Sequence, residues 1–82
     1  MATEKIIDAL SQISYLEKSL IVECINDTYM IDRDDQTFIL EHPHDVTKNR
    51  EFDHVDQVLG YLGAIRSVIL LDHNLDEEII IV

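Results

Sequence analysis

With 82 residues the chain has room for one domain with one core, residues 1–82, and its formal net charge of −11 disfavours direct binding to nucleic acid or to an anionic membrane. Because 46% of the residues are apolar, the sequence is not that of a disordered acidic tail. Cys24 is the single cysteine, which excludes an intrachain disulfide and is typical of a reducing compartment. Without a segment of signal-peptide or membrane-span character, we expect a cytoplasmic protein.

The chain opens with a helical pattern. Apolar residues recur at helical spacing after Thr3, which is placed as an N-cap, and they predict a helix over residues 3–17. The stripe consists of Ile6, Ile7, Leu10, Ile13 and Leu16. Leu20, Ile21 and Cys24 could continue this stripe, so a helix to about residue 25 is an open alternative. The β-branched residues over 20–25 and the Asn26-Asp27 turn that follows favour a strand instead.

Two further strands are predicted over residues 28–33 and 36–42, separated by the Asp34-Asp35 turn. In the first of these strands, alternation puts Tyr29 and Ile31 on one face and Met30 on the other. In the second, Phe38, Leu40 and His42 lie on one face and Ile39 on the other. Together with residues 20–25, the pattern indicates an antiparallel meander of three strands.

Pro43 ends the third strand, and residues 44–51 are predicted to form a polar turn. Asp53 is the expected N-cap of a second helix with an apolar stripe from Val55 to Ile65. Gly60 and Gly63 interrupt this helix, either because close packing requires small residues or, for Gly63, because the helix ends there. Residues 67–72 and 78–82 then read as strands around a turn at 73–76. The predicted fold is α+β, with two helices on one face of a small antiparallel sheet of about five strands in the order α-β-β-β-α-β-β.

Sites for chemistry are few. His42 and His44 flank Pro43 and could supply metal ligands, but a third ligand would have to come from His54 or His73 through folding. A solvated strand end is the simpler interpretation, so we expect no metal and no cofactor. Cys24 lies in an apolar run, and no glycine-rich loop is present that could hold a phosphate. We therefore expect a protein that is not an enzyme.

The carboxylates indicate a binding function. A negative ridge could imitate the phosphate spacing of a nucleic acid and occupy a basic groove on another protein. The residues expected to contact such a partner are Asp27, Asp32, Asp34, Asp35, Glu41, Asp45, Asp53 and Asp56. In size and charge the chain resembles the small acidic inhibitors that phages and other mobile elements encode, and this likeness of class implies an inhibitory protein–protein interaction.

Two other hypotheses remain. The protein could be a self-associating structural or accessory module whose charge serves only solubility, or a small metal-binding domain built on His42 and His44. Self-association is predicted through Ile79, Ile80, Ile81 and Val82, because a strand with one wet face should not carry apolar residues on both sides. A homodimer formed by edge pairing or by face packing would cover them. A central strand with helices on opposite sides of the sheet is the alternative.

Overall fold

The computed structural model describes residues 2–15 and 17–82. Its elements, in chain order, are α1 (Ala2–Gln12), β1 (Lys18–Cys24), β2 (Thr28–Asp34), β3 (Thr37–Glu41), a 3₁₀ turn (Val46–Lys48), β4 (Arg50–Phe52), α2 (Val55–Leu62), β5 (Ile65–Asp72) and β6 (Glu77–Ile80). The strands form one antiparallel sheet in the order β4-β3-β2-β1-β5-β6. The predicted α+β class and the two helices are confirmed, and the sheet has six strands rather than about five.

The first helix is shorter than predicted. It ends at Gln12, and the chain then turns back, because Ser14 and Lys18 exchange backbone hydrogen bonds of 3.1 and 3.0 Å. The Ser14 hydroxyl also donates to the Glu17 carboxylate over 2.7 Å. Residues 18–24 continue as β1, so the alternative of a helix reaching residue 25 is wrong. The expected place of Leu16 in the helical stripe lies outside the described residues.

The segment predicted as a polar turn contains a strand. In β4, Arg50 pairs with Leu40 and Phe52 pairs with Phe38. The strand was not predicted because three residues, two of them charged, are too few to display an alternation.

The second helix begins one residue later than expected. Its N-cap is His54 and not Asp53, and the Gln57 side chain accepts the backbone N–H groups of both residues at 3.3 and 3.2 Å. Gly63 ends the helix at a φ of 70°, as one of the two alternatives predicted. The prediction that close packing requires a small residue at Gly60 is wrong, because, apart from the glycine, its chain neighbours and the nearby helix backbone, no described atom lies within 4 Å of the position of an added Cβ.

Both helices pack on the same face of the sheet, which we call the helix side. The register places Leu20 between Ile31 and Leu70, and it places Val22 between Tyr29 and Val68. All of these side chains belong to one buried cluster that includes Leu10 of α1 and Val58 of α2, as well as Ile6, Ala9, Ile13, Cys24, Phe38, Leu40 and Leu62. The alternative with helices on opposite sides is therefore wrong, and no helix of the described chain covers the other face, which we call the open face.

Candidate protein-binding surface

The open face presents two rows of side chains that run across the strands. In the first row, register partners follow one another as Ile80, Ile69, Ile21, Met30 and Glu41. The second row, two residues further along each strand, consists of Glu78, Leu71, Ser19, Asp32, Ile39 and Glu51. Alternation along the strands turns all of them away from the helices.

These rows combine apolar and acidic side chains. Ile80 is 78% exposed and Met30 is 36% exposed, while Ile21, Ile39, Ile69 and Leu71 are half-buried. Neither row of described residues contains Lys or Arg, so every charged member is a carboxylate. A partner that covers this surface meets an apolar centre with negative charge in and around it.

The basic residues of the strands lie elsewhere. The Arg33 guanidinium is 5.1 Å from the Phe38 ring centre, and that of Arg50 is 5.8 Å from the Tyr61 ring centre, so both lie on the helix side. Lys18 shares the helix-side alternation of β1, and Arg66 lies at an irregularity in the β1–β5 pairing at one end of the sheet. The charge of the two faces is therefore asymmetric.

A groove of about 360 Å³ lies at the Met30 end of the first row. Ile21 and Met30 contribute its apolar floor, and Pro43 and Val46 contribute the loop that overhangs it. The backbone N–H of His42 donates to the Asn49 side chain over 2.8 Å, which fixes this loop. Since Val46 is 78% exposed, the apolar surface continues from the strands onto the loop.

Asp32 lies within the second row. Its carboxyl oxygen Oδ1 is shielded from solvent and has no hydrogen-bond partner among the described residues, although the residue as a whole is only half-buried. Burial raises the pKa of the Asp32 carboxyl, against the opposing effects of the Arg33 backbone N–H and of His73. An ionised carboxylate in this place is therefore incompletely stabilised.

Ser19 and His73 lie beside Asp32. The Ser19 hydroxyl and His73 Nε2 are 2.7 Å apart, so the three side chains form a Ser, His and Asp group that the sequence did not single out. Ser19 has 0% exposure, so its hydroxyl is not open to a substrate. We read the group as a structural contact between β1 and the turn after β5.

The predicted metal ligands have other contacts. His42 Nε2 is 2.9 Å from Asp27 Oδ1, and His42 Nδ1 accepts the His44 backbone N–H at 3.2 Å. This arrangement places the ring proton on Nε2 and occupies both nitrogens. Lys48 adds an ammonium 3.6 Å from the same carboxylate oxygen. Within residues 2–15 and 17–82, no three His, Cys, Asp or Glu side chains are arranged to hold a metal ion.

Aromatic rings surround this contact. The Tyr29 ring stands edge-on to His42 at 5.5 Å and to Tyr61 at 5.8 Å. Burial, with a smaller contribution from Tyr61, raises the pKa of Tyr29 to about 12. The His42 hydrogen bond is the main cause that holds the pKa of Asp27 below its usual range, and Lys48 adds to it. Asp27 is thus tied to the protein's own loop.

The predicted partner-binding carboxylates do not form one patch. The β2–β3 turn and the start of α2 lie at one end of the sheet, where a 3.4 Å hydrogen bond from Thr37 reaches Asp53. That end carries Asp34, Asp35, Asp53 and Asp56, and the β5–β6 turn brings Asp76 and Glu77 to it. The opposite end carries Asp27, Glu41 and Asp45. Asp32 lies between the two groups on the open face.

Asp45 serves as a cap. Its carboxylate accepts the Thr47 hydroxyl and the Thr47 backbone N–H, and these hydrogen bonds lower the pKa of Asp45. Glu51 and Glu78 were not among the residues predicted to contact a partner, and they complete the rim of the open face. Their signal would have been the alternation itself, extended from Met30 and Ile39 to neighbouring strands.

The C-terminal strand lies at an edge of the sheet. In the part of the chain that is described, β6 pairs with β5 alone. Ile81 packs against the core cluster, whereas Ile80, the register partner of Ile69, lies on the open face and is 78% exposed. Val82 follows the strand, exchanges backbone hydrogen bonds with Val68 and is 40% exposed. Ile79 is on the helix side and is 43% exposed.

No helix within residues 2–15 and 17–82 has the length and apolar character needed to cross a bilayer. The chain matches no protein-family model, and neither a curated protein nor a solved structure is significantly similar to it.

Proposed function

We propose that this protein is a non-catalytic binding module that takes a basic and partly apolar surface of another protein onto its open face. One observation supports the proposal: on the sheet face that no described helix covers, two rows of described side chains combine an apolar centre with charged members that are all carboxylates. Contiguous exposed apolar surface with a polar rim is typical of sites for protein partners.

The negative charge selects the partner and speeds the encounter. A net charge of −11 repels acidic surfaces and attracts basic ones over distances of about a Debye length. Asp34, Asp35 and Asp53, at one end of the sheet, add to this field next to the second row. Association is therefore expected to be fast at low salt and slower as salt is added.

An inhibitory role follows if the partner's basic surface ordinarily holds nucleic acid. The carboxylates of the open face and of the Asp34 end would then occupy the place of phosphates, and the apolar row would add contacts that a phosphate backbone lacks. A reducing, cytoplasmic location suits this role, because Cys24 is a free, buried thiol.

Self-association through the last strand is a second candidate, favoured by the exposure of Ile80 on an unprotected edge. Pairing of β6 with its copy would extend the sheet across a two-fold axis. Sedimentation at micromolar concentration tests it. A dimer that becomes a monomer when Ile80 and Val82 are replaced by Ser supports this candidate, and a monomer of 9.5 kDa in both proteins ends it.

Capture of partners from the native host, at low and at high salt, tests the leading proposal. The test variant is Met30→Thr with Ile69→Thr, which keeps strand propensity but makes the first row polar. The control is Leu75→Thr, because Leu75 is 65% exposed in the β5–β6 turn and away from both rows. We expect one partner to be retained by the parent and the control but lost by the test variant. Equal retention by all three proteins would contradict the use of the open face.

A further inference from the structure

The dimensions and chemistry of the open face narrow the class of partner. We propose that the open face binds an amphipathic helix of the partner protein and that Asp32 receives an arginine side chain of that helix. This inference rests on the proposed function, which it deepens by naming the element and the side chain that the partner supplies.

The length of the first row matches the length of a short helix. From Ile80 to Met30 the first row crosses the three spacings between β6, β5, β1 and β2, about 14 Å at the usual strand separation. A helix of about ten residues has this length. The second row lies about 7 Å away along the strands, so a helix about 10 Å wide covers both rows at once. The helix side of the same sheet is already covered by helices, which is how sheet faces are commonly buried.

The groove at the Met30 end offers a place for an anchoring residue. Its volume of about 360 Å³ and its lining by Ile21, Met30, Pro43 and Val46 suit a large apolar side chain. Glu41 also lines the groove and places a carboxylate beside it. A helix that lies along the first row can therefore set one apolar residue into the groove and a basic residue next to Glu41.

The surroundings of Asp32 favour a cation that a partner supplies. Across the strands Asp32 pairs with Ile39 of β3, and Ser19 of β1 lies one position beyond the last β1–β2 pair, Leu20 with Ile31. Met30 and Asp34 flank Asp32 along β2. Among the described residues no side chain donates to its shielded oxygen Oδ1, and covering the face would remove the water that now solvates the rest of the carboxylate. His73 lies near Asp32, but its Nε2 contacts the Ser19 hydroxyl at 2.7 Å. A partner that brings a positive charge would therefore bury the Asp32 carboxylate at a smaller cost in free energy than a neutral partner would.

Arginine fits this position better than lysine. Its guanidinium is planar, weakly hydrated and rich in donors, so it can lie flat on Ile39 and Met30 while donating to Oδ2 of Asp32, since Oδ1 is the shielded oxygen. Lysine presents a strongly hydrated point charge, which is harder to desolvate on an apolar surface.

A second copy of the chain does not fit the same face. Two-fold packing brings each residue of a patch against residues of the identical patch. Since Asp32, Glu41, Glu51 and Glu78 of the two rows and the neighbouring Asp34 are all acidic, a face-to-face dimer would bring carboxylates close to carboxylates. The charge pattern thus favours a basic partner over a copy.

The test uses a synthetic helical peptide with a leucine stripe flanked by arginines, titrated calorimetrically into the full chain. Asp32→Asn is compared with Asp34→Asn, which removes the same charge from an exposed position two residues along the same strand. We expect Asp32→Asn to weaken binding about tenfold or more, and Asp34→Asn to weaken it only slightly. For a peptide with citrulline, the neutral isostere, in place of arginine, we expect Asp32→Asn to cause no further loss.

The outcomes separate the inference from the proposed function. One outcome is that Asp32→Asn, shown to be folded by its melting curve, binds the peptide as tightly as Asp34→Asn does. This would overturn the contact between Asp32 and arginine, while the open face would remain the binding surface. If the parent protein binds no arginine peptide at low salt, or binds it on the helix side, both the arginine contact and the proposed binding function of the open face are overturned. A lysine peptide that binds as tightly as the arginine peptide overturns the choice of arginine. If the parent protein sediments as a dimer whose open face is shielded from solvent, the occupant of that face is a second copy of the chain, and the proposed partner helix is overturned.

Discussion

The carboxyl group of Asp32 has one oxygen, Oδ1, that is shielded from solvent and has no hydrogen-bond partner among the described residues. Its pKa is raised in the folded protein, so the folded state binds the proton more tightly than the unfolded state does. The ionised group therefore destabilises the free protein at neutral pH, and this cost disappears as pH falls from the raised folded value through the ordinary value near 4. A residue that costs stability in the free protein and supplies binding in the complex is a common feature of functional sites.

We predict that Asp32→Asn melts at a higher temperature than the parent at neutral pH. Asp34→Asn serves as the control, because relief of the overall negative charge raises the melting temperature of both variants. The extra gain of Asp32→Asn over Asp34→Asn should shrink to nothing near about pH 3, where Asp32 of the parent is protonated. An extra gain that stays constant between neutral and acidic pH would show that the carboxylate charge is not its cause.

The pKa of Asp27 is shifted in the opposite direction to that of Asp32, because His42 and Lys48 favour the charged form of Asp27. Its folded pKa is depressed, so its contribution to stability is present above the unfolded pKa and is lost as pH falls through the folded value. The link joins the turn after β1 to the loop that overhangs the groove.

We predict that His42→Phe raises the pKa of Asp27 back toward its usual range, since the His42 hydrogen bond is the largest cause of the shift. Phenylalanine keeps a ring beside Tyr29 and so isolates the loss of the hydrogen bond. Lys48→Ala should raise the pKa of Asp27 by a smaller amount. Carbon-detected NMR titration of the Asp27 carboxyl measures both, and a larger effect of Lys48→Ala would contradict the assignment.

The two helices depend on the sheet for their stability, because α1 and α2 are too short to be stable alone. In α1, Leu10 has 0% exposure and Ile7 is 39% exposed. We predict that Leu10→Ala lowers the free energy of unfolding by about 2–5 kcal/mol, the usual range for a buried leucine. Ile7→Ala in the same helix should cost about 1 kcal/mol or less. Chemical denaturation compares the two, and equal losses would show that the buried face of α1 is misassigned.

The glycines of α2 give a second matched pair. Gly60 is exposed in the helix interior with open space around it, so Gly60→Ala should stabilise the protein by about 0.5–1 kcal/mol. Gly63 has a φ of 70° and a ψ of −132°, a conformation that favours glycine, so Gly63→Ala should destabilise by about 1 kcal/mol or more. Melting curves of the two variants test whether α2 ends at Leu62, and a change of the same sign in both would contradict it.

Alternation predicted β2 and β3, β-branched residues before a turn predicted β1, and a continuous apolar run predicted β5. These local patterns missed β4, because its three residues pair with a strand that is distant in the sequence. The helical spacing of apolar residues also extended the predicted α1 too far, because Ile13 belongs to the core although it follows the helix. The acidic residues were recognised individually. The open face was not, because Ile69 and Leu71 lie in a run of apolar residues that looks buried on both sides.

The molecule as a whole has two unlike faces. The helix side holds the core, while the open face joins apolar side chains to carboxylates under a net charge of −11. Oligomeric state bears directly on this asymmetry, because edge pairing along β6 would leave the open face free, whereas face packing would cover it. We therefore expect salt to weaken partner binding while leaving any β6-mediated dimer less affected.

The most direct measurement is a chemical-shift map of the isotope-labelled protein titrated with the leucine and arginine peptide. We predict that the shifts concentrate on Ile21, Met30, Asp32 and Ile69, together with the loop residue Val46, and that they diminish with added salt. Amides of α1 and α2 should change little. Shifts concentrated on the helices, or absent from the open face at saturation, would contradict the claim that this face is the binding surface.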